Sequence, residues 1–219
     1  MEIKPQLLVF DMDGVLVEVS ESYRETIVQT VKIFTGQTIT RELIQEYKNR
    51  GGYNNDWVLS QKICHDLGSS IAFESIVETF NDLFITQGYI NRERWIPEKG
   101  LLDRLAERFE LGIFTGRSTM EAEITLNRQG VRDRFLLVTS TDIKNEKPAP
   151  DGLLKIMAMR PGKPLLYVGD TVDDARAASA ANVPFIGIAA AASPKREDLI
   201  AGLTREGAIR ILENVNEIG

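Results

Sequence analysis

Residues 7–17, Leu7-Leu8-Val9-Phe10-Asp11-Met12-Asp13-Gly14-Val15-Leu16-Val17, constrain the fold more than any other stretch. An apolar run rich in strand formers meets two carboxylates one residue apart, and then a glycine. Such a run, ended by a turn signal, suits a strand buried on both faces of a parallel sheet. The carboxyl edge of such a sheet is where open α/β folds bind their ligands. Carboxylates at the mouth of a core are costly unless a cation or a reaction uses them. At i and i+2 of an extended segment, Asp11 and Asp13 point the same way, and Gly14 lets the backbone turn behind them. The pair suits one hard cation and one carboxylate nucleophile. The plain alternative is an Asx-turn closing an ordinary strand.

After this strand the pattern turns helical. Ser22 and Glu25 have capping-box spacing, Tyr23, Ile27, Val31 and Phe34 recur at helical intervals, and Gly36 stops the run. Thr40 is expected to cap a helix over 41–48. The loop 49–56 follows, then helices over 56–67 and 73–86. No strand is expected within 18–95, which reads as a helical insert, and Trp95-Ile96-Pro97 marks the return. Helix 98–108, strand 111–115, a helix capped by Ser118 with Glu121, and strand 135–138 come next. A polar loop over 140–150 leads to helix 152–159 and strand 165–168. The chain closes with an alanine-rich helix, strand 184–188, a helix capped at Ser193-Pro194 and strand 208–212. Strands alternating with helices indicate a doubly wound, Rossmann-like parallel sheet.

Composition narrows the function classes. With 219 residues, 43% hydrophobic and 26% charged, the chain has ample material for a core. The net charge of −6 argues against nucleic acid or an anionic membrane as the main partner, so an anionic substrate needs a local positive site. A lone cysteine, Cys64, fits a reducing compartment, and the opening residues Met1-Glu2-Ile3-Lys4-Pro5 carry no signal peptide; a cytoplasmic location is expected. His65 is the only histidine, and no Gly-x-Ser-x-Gly elbow is present, which argues against a serine triad and a multi-histidine zinc site. Cys64 and His65 read as packing and surface residues.

Four strand ends carry unusual polar residues: Asp11 with Asp13, Thr115-Gly116-Arg117, Lys147 in its loop, and Asp170 with Asp173 and Asp174. Each has an ordinary reading alone, as a cap or a solvated side chain. In a parallel sheet, however, all of them fall on one edge. A carboxylate can attack phosphorus and form an aspartyl-phosphate, splitting one hard displacement into two easier ones. Attack on a dianionic ester needs a divalent cation and an ammonium to offset charge. Mg²⁺ prefers oxygen ligands, which Asp11, Asp170 and a backbone carbonyl can supply. Thr115 is placed to hydrogen-bond the phosphoryl oxygens. Asp13 has the reach to protonate the leaving alcohol and then deprotonate water.

These residues resemble the haloacid dehalogenase-like hydrolases. Asp11-Met12-Asp13-Gly14-Val15-Leu16 is similar to the family's first motif, Phe114-Thr115-Gly116-Arg117 to its second, Lys147-Pro148-Ala149-Pro150-Asp151 to its third, and Gly169-Asp170-Thr171-Val172-Asp173-Asp174 to its fourth. The resemblance implies Asp11 as nucleophile, Asp13 as general acid/base with its carbonyl on Mg²⁺, Thr115 and Lys147 as phosphoryl binders, and Asp170 as a metal ligand. Asp174 matches the usual spacing of the last acid and is the expected further ligand; Asp173 matches a shorter variant. Dehalogenases of the superfamily lack the second aspartate of the first motif, so Asp13 argues for phosphoryl transfer. The insert is similar to the cap of the phosphoglycolate phosphatase-like branch.

The expected organisation is a Rossmann-like core of residues 1–17 and 96–219 with a helical cap over 18–95. The expected function is Mg²⁺-dependent hydrolysis of a small phosphorylated metabolite. Gly116, Arg117 and the cap-loop residues Tyr53, Asn54 and Asn55 are the candidate substrate contacts, with a surface acid pair as the alternative for Arg117. A phosphomutase uses the same motifs but returns the phosphoryl group to a sugar. A non-catalytic binding protein on this fold is a further alternative. A signalling receiver fits less well, because its acid pair precedes the phosphorylated aspartate.

Overall fold

Leu7–Phe10 forms strand β1, and all of its residues are buried. Leu8 and Phe10 enter one hydrophobic core while Leu7 and Val9 enter another, as the two-residue period of a strand requires. The structure, a computed structural model, describes residues 5–218; residues 1–4 and 219, which belong to the expected core and opening segment, lie outside the described residues.

β1 pairs in parallel with β4 (Glu110–Phe114) on one side and with β6 (Leu165–Gly169) on the other. β5 (Leu136–Val138) extends the first side, and β7 (Phe185–Ile188) and β8 (Arg210–Leu212) extend the second, giving the order β5-β4-β1-β6-β7-β8. Phe10 is in register with both Ile113 and Val168, so the loops leaving β1, β4 and β6 emerge side by side. The order reverses at β1, the switch point where such sheets hold ligands. Helices α5 (Leu101–Ala106) and α6 (Thr119–Arg128) contribute to one core, and α7 (Asp151–Met159), α8 (Val172–Ala180) and α9 (Arg196–Arg205) to the other.

The cap consists of α1 (Tyr23–Thr35), α2 (Arg41–Arg50), α3 (Asp56–Asp66) and α4 (Phe73–Asn81), the last running on into a π-helical turn, Asp82–Thr86. Tyr23 of α1 packs against Phe80 and Phe84, and the cap core is continuous with the Leu8/Phe10 side of the sheet. Cys64 is buried there, and His65 is exposed. No described helix is long and apolar enough to cross a membrane.

Three local expectations are corrected. The ends of the expected insert are not wholly helical: β2 (Val17–Glu18) and β3 (Arg94–Trp95) form an antiparallel ribbon at its neck. Ser22 does not close a capping box, because it is fully buried and its hydroxyl turns back to the Val19 carbonyl at 3.4 Å. The last helix starts at Arg196 after Lys195, with no side-chain cap from Ser193. By contrast Thr40 caps α2, and Ser118 with Glu121 closes the box of α6.

Candidate active site

Asp11 follows β1 directly, its amide donating to the Val168 carbonyl at 2.8 Å. Its Oδ1 lies 2.9 Å from Lys147 Nζ, and the same ammonium is 2.7 Å from Asp174 Oδ1. Lys147 is 4% exposed, seated over the Phe114 and Tyr167 rings, so its charge is strongly felt. Burial pulls this ammonium's pKa down, but Asp11 and Asp174 more than reverse that, and the net direction is up.

Asp174 is saturated. Oδ1 also accepts from the Tyr167 hydroxyl at 2.7 Å, and Oδ2 accepts from the Thr171 amide and hydroxyl at 3.0 and 2.6 Å, closing the capping box of α8. Burial raises its pKa; Lys147, Thr171 and Tyr167 outweigh burial and hold it below the usual carboxylate range.

Asp170 directly follows β6 and has no salt-bridge partner among the described residues. Burial, with Asp174 and Asp11 close by, drives its pKa well up, against the pull of Arg24 and Lys48. Asp11 is raised to about 7 by burial, offset in part by Lys147 and reinforced by Asp174 and Asp13. Gly14 has φ +72°, and a Cβ there would fall 2.0 Å from Asp170 Oδ2, so glycine is what lets the two loops close on each other.

Asp11, Asp170 and Asp174 each bring an oxygen within 4.8 Å of the others. Three carboxylates, those of Asp11 and Asp174 buried and that of Asp170 half-buried, leave excess negative charge against one lysine, and the donors are all hard oxygens, so the set fits a hard divalent cation such as Mg²⁺.

Asp13 points elsewhere. Its Oδ1 accepts from Arg117 Nε at 2.9 Å and also from Nη2. Arg117 is fully buried in its side chain, lies 2.8 Å from Glu93 Oε1 and donates from Nη1 to Thr125 Oγ1 at 2.9 Å. Thr125 in turn donates to Glu93 Oε2 at 2.7 Å. Burial lifts the Glu93 pKa despite these partners. Thr115 is fully buried and its hydroxyl accepts from the Arg117 amide at 3.2 Å.

A small cleft joins these groups to the cap, lined by Asp11, Asp13, Arg117, Asp170, Asn54 and Trp57 among others. Asn54 reaches across to Gly116, its Nδ2 buried without a well-formed hydrogen bond. Asn55 caps α3 and its Nδ2 is 3.4 Å from Glu146. Tyr53 is not brought to the cleft; its ring packs edge-on against Tyr47, because its amide is tied to Asp173 and its carbonyl to Lys48. Asp173 takes no place beside Lys147 and instead holds the cap loop. Glu93, Thr125, Tyr167 and Lys48 escaped sequence reasoning: Glu93 sits in the charged run Arg92-Glu93-Arg94, which reads as a solvated surface.

A parallel sheet with a helical cap and a carboxylate–lysine centre at its carboxyl edge defines a capped α/β enzyme. Residues 8–188 match the family described as haloacid dehalogenase-like hydrolase, and the chain belongs to that family. It is 34% identical over 182 residues to an imidazoleglycerol-phosphate dehydratase of Phytophthora nicotianae, covering 77% of this chain and 40% of that protein. The chain thus spans about two fifths of that relative's length. It is 24% identical over 199 residues to a phosphoglycolate phosphatase of Colwellia psychrerythraea, covering 84% of each. A solved phosphatase from Thermococcus thioreducens is similar with a TM-score of 0.66 and 26% identity, over 91% of this chain and 99% of that one.

Proposed function

We propose that the chain is a Mg²⁺-dependent phosphatase acting on the phosphate monoester of a small metabolite through an aspartyl-phosphate on Asp11. The observation that carries this reading is the pairing of Asp11 Oδ1 with the buried Lys147 ammonium at 2.9 Å, with Asp13 two residues on at the same cleft. Asp11 attacks phosphorus; its new O–P bond forms as the bond to the ester oxygen breaks, and Asp13 gives that oxygen its proton. Water then attacks the aspartyl-phosphate, Asp13 takes a proton from it, and inorganic phosphate leaves with the Asp11 carboxylate restored. Lys147 holds Asp11 in place and offsets phosphoryl charge.

Asp11 and Asp170 would hold the metal, with Asp174 behind them and only the backbone carbonyl of Asp13 left for that role. When bound, Mg²⁺ supplies charge neutralisation at the phosphoryl oxygens. Asn54, Asn55 and Gly116 face the leaving group, with Trp57 as an apolar wall. Lys48, Arg24 and Asp56 give the cap side of the cleft mixed charge, which suits a polar metabolite.

The test is phosphate release from a panel of phosphomonoesters, with Mg²⁺ and with EDTA, for wild type and Asp11→Asn. Phosphoglycolate and imidazole-bearing phosphate esters belong in the panel, because the relatives named above are named for such compounds. Release that needs both Mg²⁺ and Asp11 is expected. No release from any ester by folded protein overturns the reading.

A further inference from the structure

We propose that Arg117 is a positioning residue for Asp13, and that Glu93, at the neck of the cap, sets where Arg117 sits. The inference rests on the reading of Asp13 as the acid/base group.

The guanidinium is committed to protein partners. Nε and Nη2 both reach Asp13 Oδ1, Nη2 also meets Glu93 Oε1, and Nη1 donates to Thr125 Oγ1. Its face lies 4.9 Å over the Tyr23 ring of the cap. An arginine with all three side-chain nitrogens engaged by protein partners, and no exposed side-chain surface, has little left for a substrate phosphate. Burying such a charge is not the cheapest way to fill the space, since apolar side chains of similar volume pack there without desolvation. The arrangement makes sense if it fixes something, and of the residues its N–H groups reach, Asp13 lines the cleft while Glu93 and Thr125 do not.

The grip is one-sided. Both donors converge on Oδ1, and no protein hydrogen bond reaches Asp13 Oδ2 among the described residues. The side chain keeps 30% exposure. A carboxyl held by one oxygen has its plane fixed while the other oxygen is presented to the cleft, where it exchanges a proton with the ester oxygen or with water. Glu93 and Thr125 brace Arg117 from behind through a closed ring of contacts: Arg117 to Glu93, Thr125 to Glu93, and Arg117 to Thr125. Glu93 immediately precedes β3, whose partner β2 begins at Val17, and the Val17 carbonyl accepts from the Gly14 amide at 2.8 Å. Asp13 and its brace are thus anchored to the same neck.

The experiment separates positioning from structure by leaving group. Nitrophenolate leaves without a proton, whereas an alkoxide needs one from Asp13. In single turnovers, Arg117→Met is expected to slow alcohol release from an alkyl phosphate by about 100-fold, and the nitrophenolate burst by no more than about threefold. Arg117→Lys, which keeps the charge but loses the fork, is expected to fall between wild type and Arg117→Met. If Arg117→Met does not fold, as judged by circular dichroism, Arg117→Lys and Glu93→Gln carry the test, with an alkyl-selective loss of about tenfold for each. Equal losses on both esters, or none on either, overturn the proposal. Asp13→Asn in the same assay reads the underlying assignment: if it discriminates between the esters and the Arg117 variants do not, positioning alone fails. If Asp13→Asn treats both esters alike, the acid/base reading itself fails and the proposal falls with it.

Discussion

Asp173 accepts the Gly52 amide on both carboxyl oxygens, at 2.8 and 2.9 Å, so one acid of the core's α8 holds the loop between α2 and α3 of the cap. The Tyr53 amide adds a third contact at 3.2 Å, and Asp173 is 2% exposed. Hydrogen bonds to a charged acceptor contribute about 1.5–3 kcal/mol. Asp173→Ala is therefore expected to unseat the loop: KM rises by about tenfold or more, and a protease cuts within residues 51–55 faster than in wild type. Kinetics together with limited proteolysis check this, and an unchanged KM with unchanged cleavage would count against it.

The contrast between Asp173 and Asp174 shows where sequence reading stops. Neighbours on a helix diverge by about 100°, so one acid turns to Lys147 and the other to the cap, and an Asp-Asp pair does not say which. The convergence of Asp11, Lys147 and Asp170 was legible because parallel strands put their carboxyl ends on one edge. Glu93 was not, because its partner Arg117 lies far along the chain and nothing local marks a carboxylate as buried. The β2–β3 ribbon is too short for any periodicity to reveal. Ser22 has the right spacing for a capping box, but tertiary burial overrides the local preference.

Tyr167 gives a test of the shell around Lys147. Its hydroxyl donates to Asp174 Oδ1 at 2.7 Å, within a fully buried setting, and Thr171 and Lys147 hold the same carboxylate from other sides. Tyr167→Phe removes one of these donors and leaves the rest. The expected cost is about 1–2 kcal/mol, or a melting temperature lower by about 2–8 °C for a chain of this size. Turnover is expected to fall by less than about tenfold, because Lys147 keeps both of its acids. A thermal melt and a kcat measurement on the same preparation check both halves.

Gly116 and Asn54 form a second pair that joins cap to core. A Cβ on Gly116 would sit 2.6 Å from Asn54 Nδ2, closer than two such atoms approach, so the amide must move. Gly116→Ala is expected to lower kcat/KM by about tenfold with little change in melting temperature, since the displaced group is a side-chain end beside the cleft. Placed on an Asn54→Ala background, the same substitution should cost little. The kinetic cycle is expected to give a coupling of about 1 kcal/mol. Additive losses would mean that Gly116 acts without Asn54.

The acidic cluster makes the metal's effect on stability depend on pH, and the sign follows from the direction of the shifts. Without a cation, burial raises Asp11 to about 7 and drives Asp170 well up. Both are thus raised above an unfolded aspartate, near 3.9, so the folded chain holds more protons than the unfolded chain between these values. The contribution of these two groups to stability then falls as pH rises from about 4 through about 7, the reverse of an aspartate stabilised by a salt bridge. A divalent cation competes with those protons for the same oxygens. Its stabilisation is expected to be small at about pH 5, where Asp11 and Asp170 hold protons, and larger at about pH 8, above the value for Asp11. Thermal melts with Mg²⁺ and with EDTA at both pH values read this directly. Asp170→Asn, which removes one of the raised carboxyls, should flatten the difference between the two conditions. A rise in melting temperature as large in acid as in base would show that the ion binds elsewhere.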